Sequence, residues 1–388
     1  MNDLLDLTQL AERLGEPQLA ALIGVLTGAI FGVAAQRSAF CLRSATIEFA
    51  RGSLGPRMAI WLLCFSTALV WVQAARLSGL FDPQSARMMS VTGSWSGAIV
   101  GGLMFGAGMV LARGCSGRLV ILASSGNLRS VMTGLIFAVF AQMSLQGWLA
   151  PARQYLAALW VTPNGRNIEL VSLLGLPEET GLVVGLLTAA LALYLSFRHG
   201  IGPRKLVFAA GVGFSVAVGW VLTYALAQIA FEPVSVNSVT FSGPSAEALM
   251  FFLVPAGPLS FEVGLVIGAC LGAAAAALLN GEFAWQGFEG AASMRRYMLG
   301  GALMGMGAML AGGCAIGAGV TGSSILSGTA WLTLFFFFVG RDHRPADRLS
   351  PAKLNGRGFP RPPAVSFQSR ATVRAWPASP PGRRRRAG

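Results

Sequence analysis

The chain has 388 residues, 54% of them hydrophobic and 12% charged, with a mean hydropathy of +0.62, which excludes an ordinary water-soluble domain. The net charge of +13 does not point to nucleic acid: residues 341–388 hold 12 of the 29 Lys/Arg and 2 of the 16 acidic residues, so ten of the positive charges belong to one terminal tail. A Pro/Arg-rich tail of this kind reads as disordered and, beside a membrane, as a partner for anionic lipid.

Taken in chain order, residues 1–18 form an N-terminal segment in which Asp3, Asp6, Glu12 and Glu16 precede or open the first apolar run. That run lacks the basic leader of a secretory signal and is expected to stay in the membrane. Apolar stretches able to cross a bilayer fall at 19–35, 58–75, 96–112, 131–150, 181–197, 206–228, 261–279, 297–312 and 329–340, nine in all, the last two short. The expected fold is an all-α polytopic membrane protein. Its expected divisions are a first membrane half at 19–150, a linker with one span at 151–205, a second half at 206–340 and the tail at 341–388. Asn127 and Ser130 in GNLRS are expected to cap the fourth span.

The segment GGLMFGAGMVLARGC (101–115) recurs as GGALMGMGAMLAGGC (300–314), with eight of fifteen positions identical at a constant offset of 199. Shared glycines alone can reflect helix packing, and Gly102/Gly106 and Gly301/Gly305, four apart, suit close helix contact. The shared terminal Gly–Cys goes beyond that. The copies lie on the third and eighth spans, an odd separation, so they cross the bilayer in opposite senses and predict an inverted repeat. After each cysteine the chain stays Gly/Ser-rich before an apolar span resumes, predicting re-entrant segments that turn helix N-termini and free N–H groups toward the bilayer centre.

Five cysteines show no CxxC or zinc spacing. Cys64 and Cys270 fall inside spans, where a thiol is a small packing residue. Cys41, Cys115 and Cys314 each sit where an apolar run breaks, supported by the backbone of Gly114, Gly313, Gly117 and Gly317. A neutral thiol at a helix N-terminus can donate an S–H bond to a soft sulfur or selenium atom, where a thiolate would repel an anion. Three such thiols on separate loops suit a sulfur-bearing anion better than chloride or phosphate. Arg113 stands where the second copy has Gly312, so the halves need not bind alike. Arg118, Arg129, Glu48 and His199 read as loop or interface groups.

Twelve Lys/Arg fall in the loops 36–57, 113–130, 198–205 and 280–296, against five in the alternate loops. This predicts a periplasmic N-terminus and a cytoplasmic C-terminus.

The segments RSAFCLRSA, LARGCSGRL with GNLRS, and LAGGCAIGAG resemble the three cysteine motifs of the YeeE/YedE (TsuA-like) family of sulfur-transport membrane proteins, over roughly 19–340. The resemblance implies a bacterial inner-membrane importer of thiosulfate. It would relay the anion between Cys41, Cys115 and Cys314 without lasting covalent change, and work with a small cytoplasmic TusA-like sulfur carrier. Relatives are linked to other sulfur species or selenium compounds. The competing readings are a transporter or channel for another anion, a membrane thiol oxidoreductase or sulfurtransferase, and a structural role for the cysteines. The enzyme reading lacks a neighbouring resolving cysteine and a histidine base. Neither a cofactor motif nor an ATP-binding motif is present in the sequence.

Overall fold

The computed structural model describes residues 13–340 apart from 256, 258 and 289. Most of the acidic start and all of the basic tail, with the disorder and lipid contact expected of it, lie outside the described residues. Within them the chain is helical, with four isolated β-bridges and no strand. The first half contains α1 (Glu16–Ser38), α2 (Leu42–Ala50), α3 (Pro56–Leu77), the single turn α4 (Arg87–Ser90), α5 (Trp95–Leu111), α6 (Ser116–Ser124) and α7 (Leu128–Gln146). After α8 (Ala150–Ala158), the short α9 (Leu170–Leu173) and α10 (Thr180–Arg198), the second half contains α11 (Pro203–Ile229), α12 (Gly243–Leu253), α13 (Phe261–Leu279), α14 (Ala291–Leu310), a π-helical turn (Gly317–Gly322) and α15 (Gly328–Val339).

Local chemistry sets the boundaries. Pro56 and Pro203 open α3 and α11 at a position where no N–H is missed. Ser94, Asn127 and Ser260 cap α5, α7 and α13 by accepting the N–H of the residue three on. Asn127 is thus the expected cap; Ser130 instead donates both its N–H and its hydroxyl to the Asn127 Oδ1.

Among the described residues seven helical stretches are long and apolar enough to cross a bilayer, and the expected count of nine is not reached. The eighth expected span lies in α14, whose first turns carry Arg295 and Arg296, and the ninth is α15, only 12 residues long. The third, Trp95–Ser124, combines α5 and α6 across the break at Cys115.

Glycine rows bring these helices together. Gly24, Gly28 and Gly32 on α1 lie against the carbonyls of Phe261, Leu265 and Ala269 on α13. Gly264, Gly268 and Gly272 face back onto those of Ala21, Val25 and Ala29. No Cβ fits at these six contacts, so the backbones touch directly and gain close dispersion and Cα–H···O contact. Helices α5 and α14 cross in the same manner, and reciprocally. A Cβ at Gly101 would stand 2.6 Å from Gly307 O, and one at Gly300 would stand 2.8 Å from Gly108 O; the two contacts exchange under the 199-residue offset. Gly102 and Gly106 pack on α15, Gly301 and Gly305 on α7, the helix-packing role expected of them.

Candidate functional site: three cysteines at helix starts

Helices α5 and α14 end in the same way. The Gly114 N–H bonds to Met109 O at 3.2 Å and the Gly313 N–H to Ala308 O at 2.9 Å, the reversal that closes a helix through a left-handed residue. That residue is Arg113 in the first copy (φ 56°) and Gly312 in the second (φ 75°). The left-handed position thus lies one residue before the Gly–Cys pair. Gly114 itself has room for a side chain, the nearest atom being 3.6 Å from a built Cβ, whereas a Cβ at Gly313 would stand 2.6 Å from Ala318 N.

Each cysteine then starts a new helical segment. The carbonyls of Cys41, Cys115 and Cys314 accept the N–H of Ala45, Leu119 and Ala318 at 3.2, 2.9 and 2.8 Å. Cys41 and Cys115 are the N-cap residues of α2 and α6. After Cys314 the chain forms the π-helical turn instead of a short α-helix. Cys115 and Cys314 are fully buried and Cys41 is half-buried. Cys41, Cys314 and the Arg118 guanidinium all lie within electrostatic reach of Cys115. Among the described residues, however, no three His, Cys, Asp or Glu side chains are close enough to hold one metal ion. The thiols are neighbours spaced apart, not a cluster.

The second break receives a partner that the sequence does not announce. Residues 236–242 run as irregular, bent backbone through the interior, held by Ser238 Oγ donating to Val216 O (2.6 Å), Thr223 Oγ1 to Asn237 O (2.7 Å) and Thr321 Oγ1 to Val239 O (2.5 Å). This satisfied, protein-buried path is the kind of irregular backbone a membrane interior tolerates. It delivers the Phe241 N–H to Cys314 Sγ at 3.4 Å, and the Gly317 N–H donates to the same sulfur at 3.4 Å. Thr240 Oγ1 stands 3.9 Å from that sulfur and 3.1 Å from Ser242 Oγ. At Cys115 only the Arg118 N–H approaches the sulfur, without closing a full cap bond.

The breaks also touch. A Cβ at Gly117 would run into the Ile316 side chain, and one at Gly317 into the Thr240 hydroxyl, so both glycines are required by close approach. Ser242, the N-cap position of α12, lies 201 residues after Cys41, in a matching context: FCLRSA (40–45) against FSGPSA (241–246) share Phe, Ser and Ala at that offset. That short match was the available signal, hidden by a serine where a cysteine was sought.

The flanking groups have structural partners. Glu48 accepts the N–H groups of Arg57 and Met58 at 3.0 and 2.9 Å, capping α3. The His199 Nε2 lies 2.6 Å from Leu54 O, and Arg113 and Arg129 stack on the Tyr297 ring at 5.8 and 4.8 Å. Cys64 is fully buried within α3 as a packing residue, while Cys270 on α13 is half-buried. At the opposite end of the fold, buried Glu169 pairs with Arg76, and Asn167 ties residues 327–329 down through Ser327 Oγ (2.9 Å) and Thr329 Oγ1 (2.7 Å).

Comparison with known proteins gives the chain its relatives and its family. The chain is 29% identical over 339 residues to the thiosulfate transporter TsuA of Spirochaeta thermophila, covering 82% of this chain and 96% of the relative. It is 25% identical over 350 residues to the thiosulfate transporter TsuA of Escherichia coli, covering 82% and 92% respectively. The family described as Sulphur transport matches residues 37–341, from just before Cys41 to the end of α15, and the chain is a multi-pass membrane protein belonging to that family.

Proposed function

We propose that the protein imports thiosulfate, or a closely related sulfur anion, through a narrow path on which Cys41, Cys115 and Cys314 are successive binding stations. The observation that carries this reading is the common placement of the three thiols. Each opens a helical segment at a break in a membrane fold, and Cys41 and Cys314 both lie within electrostatic reach of Cys115. A helix start directs N–H dipoles at an anion, and a neutral thiol adds an S–H donor matched to a soft sulfur atom. At Cys314 two backbone N–H groups donate to the sulfur, and the thiol proton is shared between the Thr240 hydroxyl at 3.9 Å and a ligand. The names of the two relatives support thiosulfate as the cargo.

The reciprocal crossing of α5 and α14 supports an inverted pair of halves, 19–150 and 206–340, joined through 151–205. A two-fold relation makes contacts exchange in this manner, as an isologous interface does. We place the protein in a bacterial inner membrane with its N-terminus periplasmic and C-terminus cytoplasmic. The basic tail would then lie against anionic lipid, and a cytoplasmic TusA-like sulfur carrier would receive the cargo. A reporter fused after residue 205 should read as cytoplasmic and one within 235–250 as periplasmic; the same side for both would break the inverted arrangement. The substrate is tested by growth of a thiosulfate-uptake-deficient bacterium on thiosulfate as sole sulfur source. Rescue by the wild-type chain is expected, and no rescue with the protein present in the membrane overturns the assignment.

A further inference from the structure

The Cys115 break carries two hard hydrogen-bond donors that have no partner among the described residues. Ser116 is 2% exposed and its Oγ has no hydrogen-bond partner, and the Nη1 of Arg118 is buried and equally unpartnered. Both belong to the first turn of α6, directly after Cys115, and the Arg118 charge reaches the Cys115 sulfur. Buried polar atoms without partners are uncommon in folded proteins and call for a ligand or another explanation. At the same offsets after Cys314 the chain has Ala315 and Gly317, with no polar side chain to offer.

We infer that Ser116 and Arg118 form the oxyanion end of the substrate site at Cys115, binding sulfonate oxygens while the thiol faces the terminal sulfur. The inference rests on the thiosulfate reading above. Thiosulfate has two unlike ends: a tetrahedral sulfonate group with hard oxygen acceptors and a polarizable terminal sulfur. A guanidinium and a hydroxyl suit the first, a thiol the second. No covalent bond forms or breaks. The consequence is a division of labour between the breaks. Cys115 recognises both ends of the anion, whereas Cys314, with no charged or hydroxyl donor in its own turn and the neighbouring Thr240 hydroxyl paired with Ser242 Oγ, holds chiefly its sulfur and lets it move on. Conduction needs such a weaker site after a selective one, because binding must be loose enough to allow exit.

The test is equilibrium binding of radiolabelled thiosulfate to the purified full-length protein, with unlabelled sulfate, which has the oxyanion end alone, as competitor. Ser116→Ala and Arg118→Gln should each raise the thiosulfate Kd about tenfold, as expected for a lost hydrogen bond to a charge. Ser116→Thr and Arg118→Lys, which keep a donor, should recover to within about threefold of wild type by the same reasoning. Competition by sulfate should weaken in Ser116→Ala and Arg118→Gln but persist in Cys115→Ala, which loses only the soft end. The thermal midpoint of Ser116→Ala should hold or rise, since it removes an unsatisfied buried hydroxyl. Wild-type thiosulfate affinity in both alanine and glutamine variants overturns the inference. So does weaker binding accompanied by a lowered midpoint and no recovery in the conservative variants. A wild-type protein that binds sulfate but no thiosulfate refutes the thiosulfate reading instead. In that case loss of sulfate binding in Ser116→Ala and Arg118→Gln upholds the oxyanion site, and its retention, or no sulfate binding by the wild type, overturns it.

Discussion

The Cys115 and Cys314 breaks begin from nearly the same sequence and are finished by different parts of the chain. Both follow a glycine-rich helix closed through a left-handed residue, and both place a buried cysteine at the next helix start. At Cys314 the sulfur is clasped by two backbone N–H groups, one from its own turn and one from the irregular run 236–242. At Cys115 the Arg118 backbone N–H approaches the sulfur, and unpartnered side-chain donors follow it in the first turn of α6. The first half has no counterpart of this irregular run: α1 ends at Ser38 and reaches Cys41 within three residues, whereas α11 ends at Ile229 and needs the stretch 230–242 to reach α12. Symmetric segments thus become unequal sites when an insertion in one half brings backbone to only one of them.

The comparison breaks most readily at the sulfurs. Cys314→Ala should have the largest effect, because it removes the thiol and leaves the Phe241 and Gly317 N–H groups buried without an acceptor. Each unmade bond costs about 1–3 kcal/mol, so the thermal midpoint and uptake should fall together. Cys314→Ser keeps an acceptor and should restore stability while uptake stays low. Serine matching alanine in both measurements would mean that the two N–H groups contribute nothing. Cys115→Ala should cut uptake roughly ten- to hundredfold, the worth of about 1.5–3 kcal/mol at one station, with a smaller loss of stability than at Cys314. Equal uptake by all cysteine variants at matched abundance would sink the relay.

The contact between the breaks is open to a rescue experiment. Gly117→Ala should reduce uptake about tenfold by driving the Ile316 side chain from its place, a core overpacking of about 1–3 kcal/mol. Gly117→Ala combined with Ile316→Ala should recover most of it. No recovery would show that the glycine serves something other than room for Ile316.

Smaller effects are expected at the two helix ends. Gly312→Ala, at φ 75°, should lower stability by about 1 kcal/mol in chemical denaturation. Arg113→Gly at the matching position should lower stability by less than about 1 kcal/mol, since relief of the left-handed arginine offsets most of what its side-chain contacts, the stacking on Tyr297 among them, contribute. A large loss of stability in Arg113→Gly would mean the arginine holds more than that ring. Least of all, Cys64→Ala and Cys270→Ala should leave uptake near normal, because both thiols lie within spans away from the breaks.

Much of this was written locally. Apolar runs placed the helices within a few residues, and Gly–Cys marked both breaks at Cys115 and Cys314. The count of nine spans exceeded the seven that qualify, because Arg295 and Arg296 enter α14 and α15 is short. Gly114 was expected to shape its break, but the left-handed turn falls on Arg113, since the closing geometry counts from the helix end rather than from the cysteine. The paired rows Gly24/Gly28/Gly32 and Gly264/Gly268/Gly272 were visible as spacing, yet only contact shows that they face each other.

By itself the sequence determined the membrane class, the helical segments and the positions of three thiols at breaks, because hydropathy and helix termination depend on neighbours along the chain. Tertiary structure alone decided which groups meet those thiols. Phe241 and Thr240 lie more than seventy residues before Cys314, and Ile316 about two hundred after Gly117; their meeting depends on how α1, α5, α13 and α14 pack. Likewise, Arg118 reads as a loop or interface group, and Ser116 carries no signal of its own, until the fold buries their polar atoms. A hydroxyl or guanidinium is a binding group only when the fold has taken away its other partners, and no local pattern records that.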